Sequence, residues 1–340
     1  MSTQNQTDGP TPQLFFQTAN AYQRTHALKA AVDLDLFSAL GEGKDTPEAL
    51  AQRCGAAERG MRILADYLTI HGFIVKEGNR YRLTTDSAVF LDRRSPAYLG
   101  SVLDFLHAPK FTEAFQNLTQ AVRKGGTVAS EAGTVAPEHP VWVEYAKSMI
   151  PMMAQPAEEV ALFVSRTQPD PKKVLDIAAG HGLFGIAIAK RYPHAEIVAL
   201  DWANVLTVAQ DLARRAGVQG RYRTIAGDAL QQEFGTGYDL VLLTNFLHHF
   251  SAAGCETLLR KIYRCLEPGG RVLTLELVPN ENRITPPPVA ECSLMMLATT
   301  PEGDTYTFKE FEQMFRAAGF ARTEVHSMSD SPEQLLVSFK

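Results

Sequence analysis

The sequence predicts an α/β chain in which a doubly wound parallel sheet ends in a hairpin and is preceded by a mostly helical domain. Three patterns support this fold class. Strand-like and helix-like runs alternate from Lys172 onward, and a G-x-G-x-x-G turn joins the first such strand to the first such helix. Short helices followed by a small hairpin occupy residues 27–91. In open α/β sheets, ligands bind at the carboxyl ends of the strands.

Length and composition limit the kind of protein. The chain has 340 residues, 45% of them hydrophobic, enough for a full core and two domains, and its formal charge is −5. Because no long run of one sign occurs, we expect a small-molecule ligand rather than nucleic acid or an anionic membrane. The predicted organisation is a disordered tail (1–13), a winged-helix domain (14–98), connector helices lining a pocket (99–170) and an α/β ligand-binding domain (171–340).

Four cysteines are scattered without C-x-x-C spacing: Cys54, Cys255, Cys265 and Cys292. This pattern indicates neither a disulfide framework nor a zinc site, so we expect no metal and reduced thiols in a cytoplasm. Residues 1–13 lack the apolar core of a signal peptide, and no stretch reaches the roughly 20 apolar residues of a membrane span. The sequence therefore predicts no targeting or anchoring segment.

The stretch between Arg24 and Arg94 is typical of a winged helix. Thr46 is a good N-cap, Pro47 suits the first helical position, and two short strands flank a tight loop at residues 76–79. Such domains can bind DNA through their third helix, so a regulator is one alternative. Against it, 11 basic residues stand beside 10 acidic ones, and the third helix is mostly apolar. We expect that helix to be buried, inside the subunit or against a second copy.

The connector region contains a cluster of large apolar residues. The members of the cluster, within about three helical turns, are Trp142, Tyr145, Met149, Met152 and Met153. Residues of this kind at helical spacing are more often plain core. Their position just before the ligand-binding fold predicts part of a pocket wall for the cluster, with Met295 and Met296 joining it from downstream.

Residues 174–202 predict one uninterrupted strand, turn, helix and strand. Gly180, Gly182 and Gly185 open the helix, and the second strand ends on Asp201, 21 positions after Gly180. An acid at that place can accept both hydrogen bonds of a ribose diol. The sequence therefore predicts a Rossmann-like site for a ligand that contains a ribose.

The glycine spacing alone fits a nicotinamide dinucleotide as well as S-adenosylmethionine. Asp176, directly before the turn, separates the two interpretations. Its carboxylate would repel a pyrophosphate and attract the amino and sulfonium groups of S-adenosylmethionine. The alternative is that Asp176 only caps the following helix.

Two further strand ends carry residues suited to the same ligand. These residues are Gly227, Asp228, Ala229 and Asn245. Asp228 can accept from an adenine amine while Trp202 and Leu230 enclose the base. Each aspartate alone could be a helix cap, but acids at three successive strand ends weaken that alternative. Further on, Thr307 and Glu310 predict a capping box, and a closing hairpin follows that is unlike a dehydrogenase.

The chain as a whole resembles the class I S-adenosylmethionine-dependent methyltransferases, in particular the small-molecule O-methyltransferases with an N-terminal winged-helix dimerisation domain. These include plant caffeate-type and bacterial natural-product enzymes. The similar segments are KAAVDLDLFSAL, DTPEALAQRCG, VLDIAAGHG, ALDW, AGDAL, LHHF, LEPGGRVLTLE and TFKEFEQMFRAAGF. The resemblance implies S-adenosylmethionine as cofactor, a homodimer through the first domain, and an aromatic small-molecule acceptor. The LEPGG segment argues against the dinucleotide interpretation.

By the same resemblance, His248 falls where many members place a catalytic histidine, and His249 follows it. An imidazole can accept a phenol proton while the oxygen attacks, and a dry pocket favours the transition state. We expect one of the two to act and the other to pack or cap. Their adjacency argues against a metal, since neighbouring side chains diverge. The glutamates that orient the histidine in plant members are not in register here, and Glu291 is the nearest substitute.

Three hypotheses follow from these patterns. The first is O-methylation of a hydroxyl, expected to be phenolic, by in-line transfer with His248 as general base. The second keeps the cofactor but methylates carbon or nitrogen, or uses the sulfonium electrostatically without transfer, and the missing glutamates favour it. The third is a ligand-responsive winged-helix regulator. The identity of the substrate cannot be read from the sequence.

Overall fold

The computed structural model of the protein describes residues 9–167, 170–329 and 331–340. Residues 1–8 of the predicted tail lie outside the described residues. The chain forms two compact units, Met1–Leu103 and Asp104–Lys340. In the described ranges, no helix combines the length and the apolar character needed to cross a bilayer.

The first unit consists of short helices and a hairpin, as predicted. Its elements are α1 (Gln13–Ala19), α2 (Ala21–Asp33), α3 (Leu36–Gly41), α4 (Pro47–Cys54), α5 (Glu58–Ile70), β1 (Ile74–Glu77), β2 (Arg80–Leu83) and α6 (Thr85–Phe90). The Thr46 hydroxyl accepts a hydrogen bond from the Ala49 N–H at 3.3 Å, and Pro47 begins α4. The cap predicted from the sequence is therefore present.

The third of the predicted helices, α5, packs one apolar face into the core of this unit. Met61, Ala65 and Leu68 follow helical spacing and are buried in a core shared with α3 and α4. Burying a side chain of the size of leucine contributes about 1.5–3 kcal/mol. The same helix leaves Ile63 and Ile70 exposed.

The second unit begins with connector helices and continues as an α/β domain. Its elements are α7 (Val102–Leu106) at the boundary, α8 (Pro109–Gln116), α9 (Leu118–Lys124), α10 (Val141–Ser148), α11 (Ile150–Thr167), β3 (Lys173–Ile177), α12 (Leu183–Arg191), β4 (Glu196–Asp201), α13 (Ala203–Arg215), β5 (Tyr222–Ala226), β6 (Tyr238–Thr244), α14 (Ala252–Cys265), β7 (Leu266–Glu276), α15 (Pro287–Ala290), α16 (Cys292–Thr299), α17 (Phe308–Ala318), β8 (Arg322–Ser327) and β9 (Gln334–Phe339). One-turn 3₁₀ helices lie at Gly133–Val135, Gln219–Arg221 and Leu247–His249.

Within the described part of the chain, β3 to β9 form one seven-stranded sheet in the order β5-β4-β3-β6-β7-β9-β8. Strands β3 to β7 are parallel, while β9 is antiparallel to both β7 and β8. This confirms the doubly wound sheet with a closing hairpin. The order reverses between β3 and β6, and at such a point the chain leaves a crevice at the carboxyl ends of the strands.

The sheet is the core of the second unit. Strand β6 is apolar from Leu240 to Leu243, and those side chains are fully buried, as expected of a parallel strand covered by helices on both faces. At the start of α17, the Thr307 hydroxyl accepts from the Glu310 N–H and the Glu310 carboxylate accepts from the Thr307 N–H. The predicted capping box is confirmed.

Candidate active site

The turn between β3 and α12 depends on its glycines in two different ways. Gly180 and Gly182 have φ of +56° and +73°, a region that glycine adopts without steric cost. Gly182 is the N-cap of α12, and the Gly180 N–H donates to Asp201 Oδ2 at 2.8 Å. Gly185 instead provides space, since a Cβ there would lie 2.8 Å from Asp176 Oδ2. The spacing of the motif thus reflects one turn and one close approach.

Asp176 occupies a different place from the one that the sequence suggested. Its side chain is 1% exposed, and Oδ2 accepts a hydrogen bond from the Gly185 N–H at 3.1 Å, in the first turn of α12. The cavity described below is lined by other residues. Burial raises the pKa of this carboxyl to about 7, with the Gly185 hydrogen bond opposing the shift and Asp201 adding to it. Oδ2 therefore caps the helix, as in the alternative interpretation, while Oδ1 is buried without a hydrogen-bond partner in the described protein. The cofactor role of Asp176 stays a prediction.

Asp201 ends β4 and lies on the wall of a cavity of about 230 Å³. Besides the Gly180 N–H, its carboxylate accepts from the Trp202 N–H at 2.7 Å. Burial raises the pKa of Asp201 to about 6, while the two backbone hydrogen bonds lower it. The group is therefore ionised at neutral pH and available to a hydroxyl donor.

Most of the predicted cofactor residues meet at this cavity. Its wall includes Gly180, Asp201, Trp202, Gly227, Asp228 and Ala229. Leu230 and Asn245 also line it. The carboxylate of Asp228 accepts from the Leu230 N–H at 2.8 Å, which holds the loop after β5 in place. Asp176 and Gly182 are the predicted cofactor residues that the structure leaves off the wall.

Aromatic side chains line another part of the same cavity. Trp142 and Tyr145 come from α10, and Phe246, His249 and Phe250 follow β6. The indole N–H of Trp142 donates to the Thr134 carbonyl at 2.7 Å, and its ring lies edge-on to His249 at 4.9 Å between centroids. Trp142 and Tyr145 were predicted here, whereas Phe246 and Phe250 were not. Their place directly after β6 was the signal that could have indicated them.

The predicted methionines do not line the cavity. Met149 and Met296 are buried core residues, Met295 is half-buried, and Met152 is exposed. The reason is a break in the helix: α10 ends at Ser148, and Met149 is its C-cap, so the helical spacing from Tyr145 does not continue onto the same face. For Met149 and Met296 the plain core interpretation is the better one, and Met152 belongs to neither the core nor the cavity wall.

His248 and His249 lie in the one-turn helix after β6 and have different surroundings. His248 Nδ1 is 2.6 Å from Glu276 Oε2, and both side chains are buried. The other oxygen of Glu276 accepts from the Phe246 N–H at 2.9 Å and the Leu247 N–H at 2.7 Å. His249 lines the cavity, whereas His248 is not among the described wall residues and lies behind it, in ring contact with His249 at 4.2 Å between centroids.

Glu276 is the functional candidate that sequence reasoning missed. The predicted substitute, Glu291, is exposed at the N-cap of α16. Glu276 ends β7 in the same way that Asp201 ends β4. Ligand-binding residues of open α/β sheets lie at the carboxyl ends of strands, and that rule would have indicated Glu276. Glu333 is a second buried carboxyl nearby, since Gln334 pairs with Glu276 across the sheet. Burial raises the pKa of Glu333, and hydrogen bonds to Ser331 and Asn245 oppose that shift.

The described residues contain no cluster of metal-ligating side chains, and the cysteines are free.

Comparison with known proteins identifies two family models. An O-methyltransferase dimerisation domain matches residues 16–93, and an O-methyltransferase domain matches residues 163–321.

Relatives and solved structures match nearly the whole chain. A crystal structure from Nostoc punctiforme, provisionally described as an O-methyltransferase, is 54% identical with a TM-score of 0.96, over 98% of this chain and 100% of that one. A 3-hydroxy-5-methyl-1-naphthoate 3-O-methyltransferase from Streptomyces sahachiroi is 28% identical over 91% of this chain and 89% of its own length. PigF, solved with S-adenosylhomocysteine, is 25% identical with a TM-score of 0.85, over 97% of this chain and 100% of that one. The chain therefore belongs to the S-adenosylmethionine-dependent O-methyltransferases that carry an N-terminal dimerisation domain.

Proposed function

We propose that this chain transfers the methyl group of S-adenosylmethionine to a phenolic hydroxyl of a small aromatic acceptor. The observation that supports this most directly is one cavity that joins the ends of β3, β4 and β5 to aromatic side chains from α10 and the segment after β6. In the sheet, β4 and β3 lie between β5 and β6. The carboxyl ends of β5 and β6 are therefore three strand spacings apart, which is about 14 Å. That distance suits a nucleoside at one end and an acceptor ring at the other.

The residues at the ends of β4 and β5 have the chemistry to hold the cofactor. Asp201 suits a ribose diol, Asp228 can accept from an adenine amine, and Trp202 and Leu230 can enclose the base. None of the described residues on the wall is a lysine or arginine, so the wall carries negative charge. That charge suits a ligand with a sulfonium and an ammonium group. When bound, S-adenosylmethionine supplies an electrophilic methyl group.

The aromatic part of the cavity suits a flat, apolar acceptor. Trp142, Tyr145, Phe246 and Phe250 give this part an apolar lining. Methyl transfer from a sulfonium to a neutral oxygen cancels charge, so a dry lining favours the transition state over the bound reactants. Holding the acceptor oxygen in line supplies a further part of the rate.

His248 is the proposed general base. In the tautomer that carries its proton on Nδ1, His248 donates to Glu276 Oε2 across 2.6 Å, and Glu276 is itself fixed by the backbone N–H groups of Phe246 and Leu247. This arrangement leaves Nε2 as the basic nitrogen of the ring and stabilises the imidazolium that forms. A phenol has a pKa of about 10, so the proton moves to His248 as the oxygen attacks rather than beforehand.

The test is a methyl-transfer assay with phenols, anilines and activated carbon acids. S-adenosylhomocysteine release is measured, and the site of methylation is determined by NMR and mass spectrometry. One S-adenosylhomocysteine per O-methylated product supports the proposal. Transfer only to nitrogen or carbon would contradict it, and cofactor turnover without a methylated product would indicate a non-transferring role.

Two variants test the assignments within the site. Asp201→Ala should abolish cofactor binding in calorimetry, while Asp211→Ala on α13 serves as the control. His248→Ala should lower kcat by about 10²-fold or more with cofactor affinity kept. Retained binding in Asp201→Ala, or an unchanged kcat in His248→Ala, would remove that residue from the proposed site.

We further propose a homodimer formed through the first unit. The family model for that unit is a dimerisation domain, and α1 exposes Leu14, Phe15 and Phe16 with no buried residue of its own. An apolar helix surface of this kind is more stable when covered by a partner. Replacing all three residues by serine should give a monomer in light scattering, whereas Ile284→Ser, an exposed apolar residue of the other unit, should not. The expected cytoplasmic location stays a prediction.

A further inference from the structure

The ring of His249 has hydrogen-bonding capacity that the protein does not use. The side chain is 8% exposed and lines the cavity, and its Nδ1 is buried without a hydrogen-bond partner. Trp142 lies edge-on at 4.9 Å and His248 lies at 4.2 Å, so the ring is held by packing. A ring on the cavity wall with hydrogen-bonding capacity that the protein leaves unused is suited to a ligand or an ordered water in that cavity.

His249 is an uncharged imidazole. Burial lowers its pKa well below the usual value, and the neighbouring His248 adds to this shift. The nearby carboxylate of Glu276 is already bound to His248 Nδ1 and to two backbone N–H groups. A neutral imidazole offers one N–H donor and one nitrogen acceptor. Its natural complement is a hydroxyl, which can both donate and accept.

The rest of the wall disfavours an anionic acceptor. The ionisable groups of the described wall are Asp201, Asp228, Tyr145 and His249. Burial raises the pKa of Tyr145 far above neutrality, and the carboxylates of Glu333, Glu276 and Asp201 add to that shift, so the phenol stays uncharged. An acceptor carboxylate would therefore be buried beside Asp201 and Asp228, and no lysine or arginine of the described wall could pair with it.

We propose that His249 positions the acceptor hydroxyl and that the acceptor is an uncharged hydroxyarene, without a carboxylate, sulfonate or phosphate. This inference rests on the proposed phenolic O-methylation and narrows its substrate class. It also separates the chain from its Streptomyces sahachiroi relative, whose named acceptor, a naphthoate, carries a carboxylate. In this arrangement His248 takes the proton, and His249 selects the acceptor by hydrogen bonding.

The first test compares hydroxynaphthoic acids with their methyl esters, which keep the same ring and hydroxyl. We expect kcat/KM for the ester to exceed that for the acid by on the order of 100-fold, because only the acid adds a negative charge to those of Asp201 and Asp228. Binding of both to the protein loaded with S-adenosylhomocysteine should show the same order. An acid that binds and reacts as well as its ester would overturn the inference. Methylation of nitrogen or carbon with the ester preference kept would overturn the proposed phenolic reaction instead.

The second test uses His249→Phe and His249→Gln. Phenylalanine keeps the packing on Trp142 but has no ring nitrogen, so KM for the acceptor should rise about 10–100-fold with cofactor affinity unchanged. Glutamine keeps a donor and an acceptor and should restore part of the loss. The pH profile of kcat should not move in either variant, because the proton goes to His248. An unchanged KM in His249→Phe, or equal defects in both variants, contradicts the role of His249. If His249→Phe does not fold, His249→Gln and the ester comparison still decide.

Discussion

Replacing Glu276 by glutamine tests the buried pair of histidine and carboxylate. The carboxylate accepts from the Phe246 N–H at 2.9 Å and the Leu247 N–H at 2.7 Å, and it lies 2.6 Å from His248 Nδ1. A glutamine has one acceptor oxygen and an amide NH₂ group. If that oxygen keeps the backbone bonds, the NH₂ group points at Nδ1. His248 then carries its proton on Nε2, which can no longer accept a proton from the substrate.

The size of the effect follows from these contacts. General-base catalysis is worth about 10²–10⁴-fold, so we expect kcat of Glu276→Gln to fall by about 10²-fold or more, equivalent to about 2.7 kcal/mol. Loss of one hydrogen bond to a buried charge costs about 1–3 kcal/mol of stability, so Tm should fall by a few degrees. The cofactor affinity should stay nearly unchanged, because the proposed cofactor residues other than Asn245 lie at the ends of β3, β4 and β5.

The assay is S-adenosylhomocysteine release at saturating cofactor and acceptor, with calorimetry for the cofactor and a thermal melt for stability. Glu267→Gln is the matched control, since Glu267 lies on the same strand and is exposed. A kcat of Glu276→Gln close to that of the unchanged protein would refute the reasoning. So would a loss of cofactor affinity as large as the loss of kcat, which would indicate general disruption of the site.

Three further predictions concern the cofactor end of the site. Because burial raises the pKa of Asp201 to about 6 and the ionised form accepts from the ribose hydroxyls, cofactor affinity in calorimetry should fall as pH drops through about 6, and Asp201→Asn should remove that dependence. Gly182→Ala should destabilise the fold by about 2 kcal/mol or more in denaturant melts, since φ is +73° and the new Cβ would lie 2.4 Å from Tyr222 Oη. Gly217→Ala, with φ of +72° and open space, should cost only about 1 kcal/mol. The raised pKa of Asp176, about 7 against 3.8, means that the folded state binds a proton that the unfolded state has lost, so this carboxyl lowers stability as pH rises from about 4 to 7, by at most about 4 kcal/mol. Asp176→Asn should flatten the pH dependence of Tm without loss of cofactor affinity, and a lost affinity would restore the original interpretation of Asp176.

What the sequence predicted well is encoded locally. The cap at Thr46 and the capping box at Thr307 depend on residues within one helical turn, and both are present. The glycine spacing and the acid Asp201 also follow from one βαβ unit. Each of these features needs only short-range geometry, so composition and spacing are enough to find them.

What the sequence could not predict depends on side-chain direction and on contacts between distant segments. Asp201 ends β4 and lies on the cavity wall, whereas Asp176 lies one residue before the end of β3, off that wall, with Oδ2 accepting from the Gly185 N–H. The pairing of His248 with Glu276 requires the ends of β6 and β7 to be neighbours in the sheet. Helical spacing failed for Met149 because α10 ends just before it. In each case the missing information was three-dimensional.

The strand order of the sheet reverses between β3 and β6. The backbone conformation directly after these two strands explains why the cavity lies there. Ala178 directly follows β3 and Asn245 directly follows β6, and both have positive φ, 54° and 52°, although neither is a glycine. Such a conformation costs about 1–2 kcal/mol for an L-residue, and both residues line the cavity. The Ala179 N–H donates to the Leu200 carbonyl at 3.1 Å, and the Asn245 N–H donates to the Leu275 carbonyl at 2.8 Å. These hydrogen bonds to neighbouring strands hold Ala178 and Asn245 in the strained conformation. The chain therefore turns away from the sheet after β3 and after β6, which leaves space for a ligand between the two strand ends.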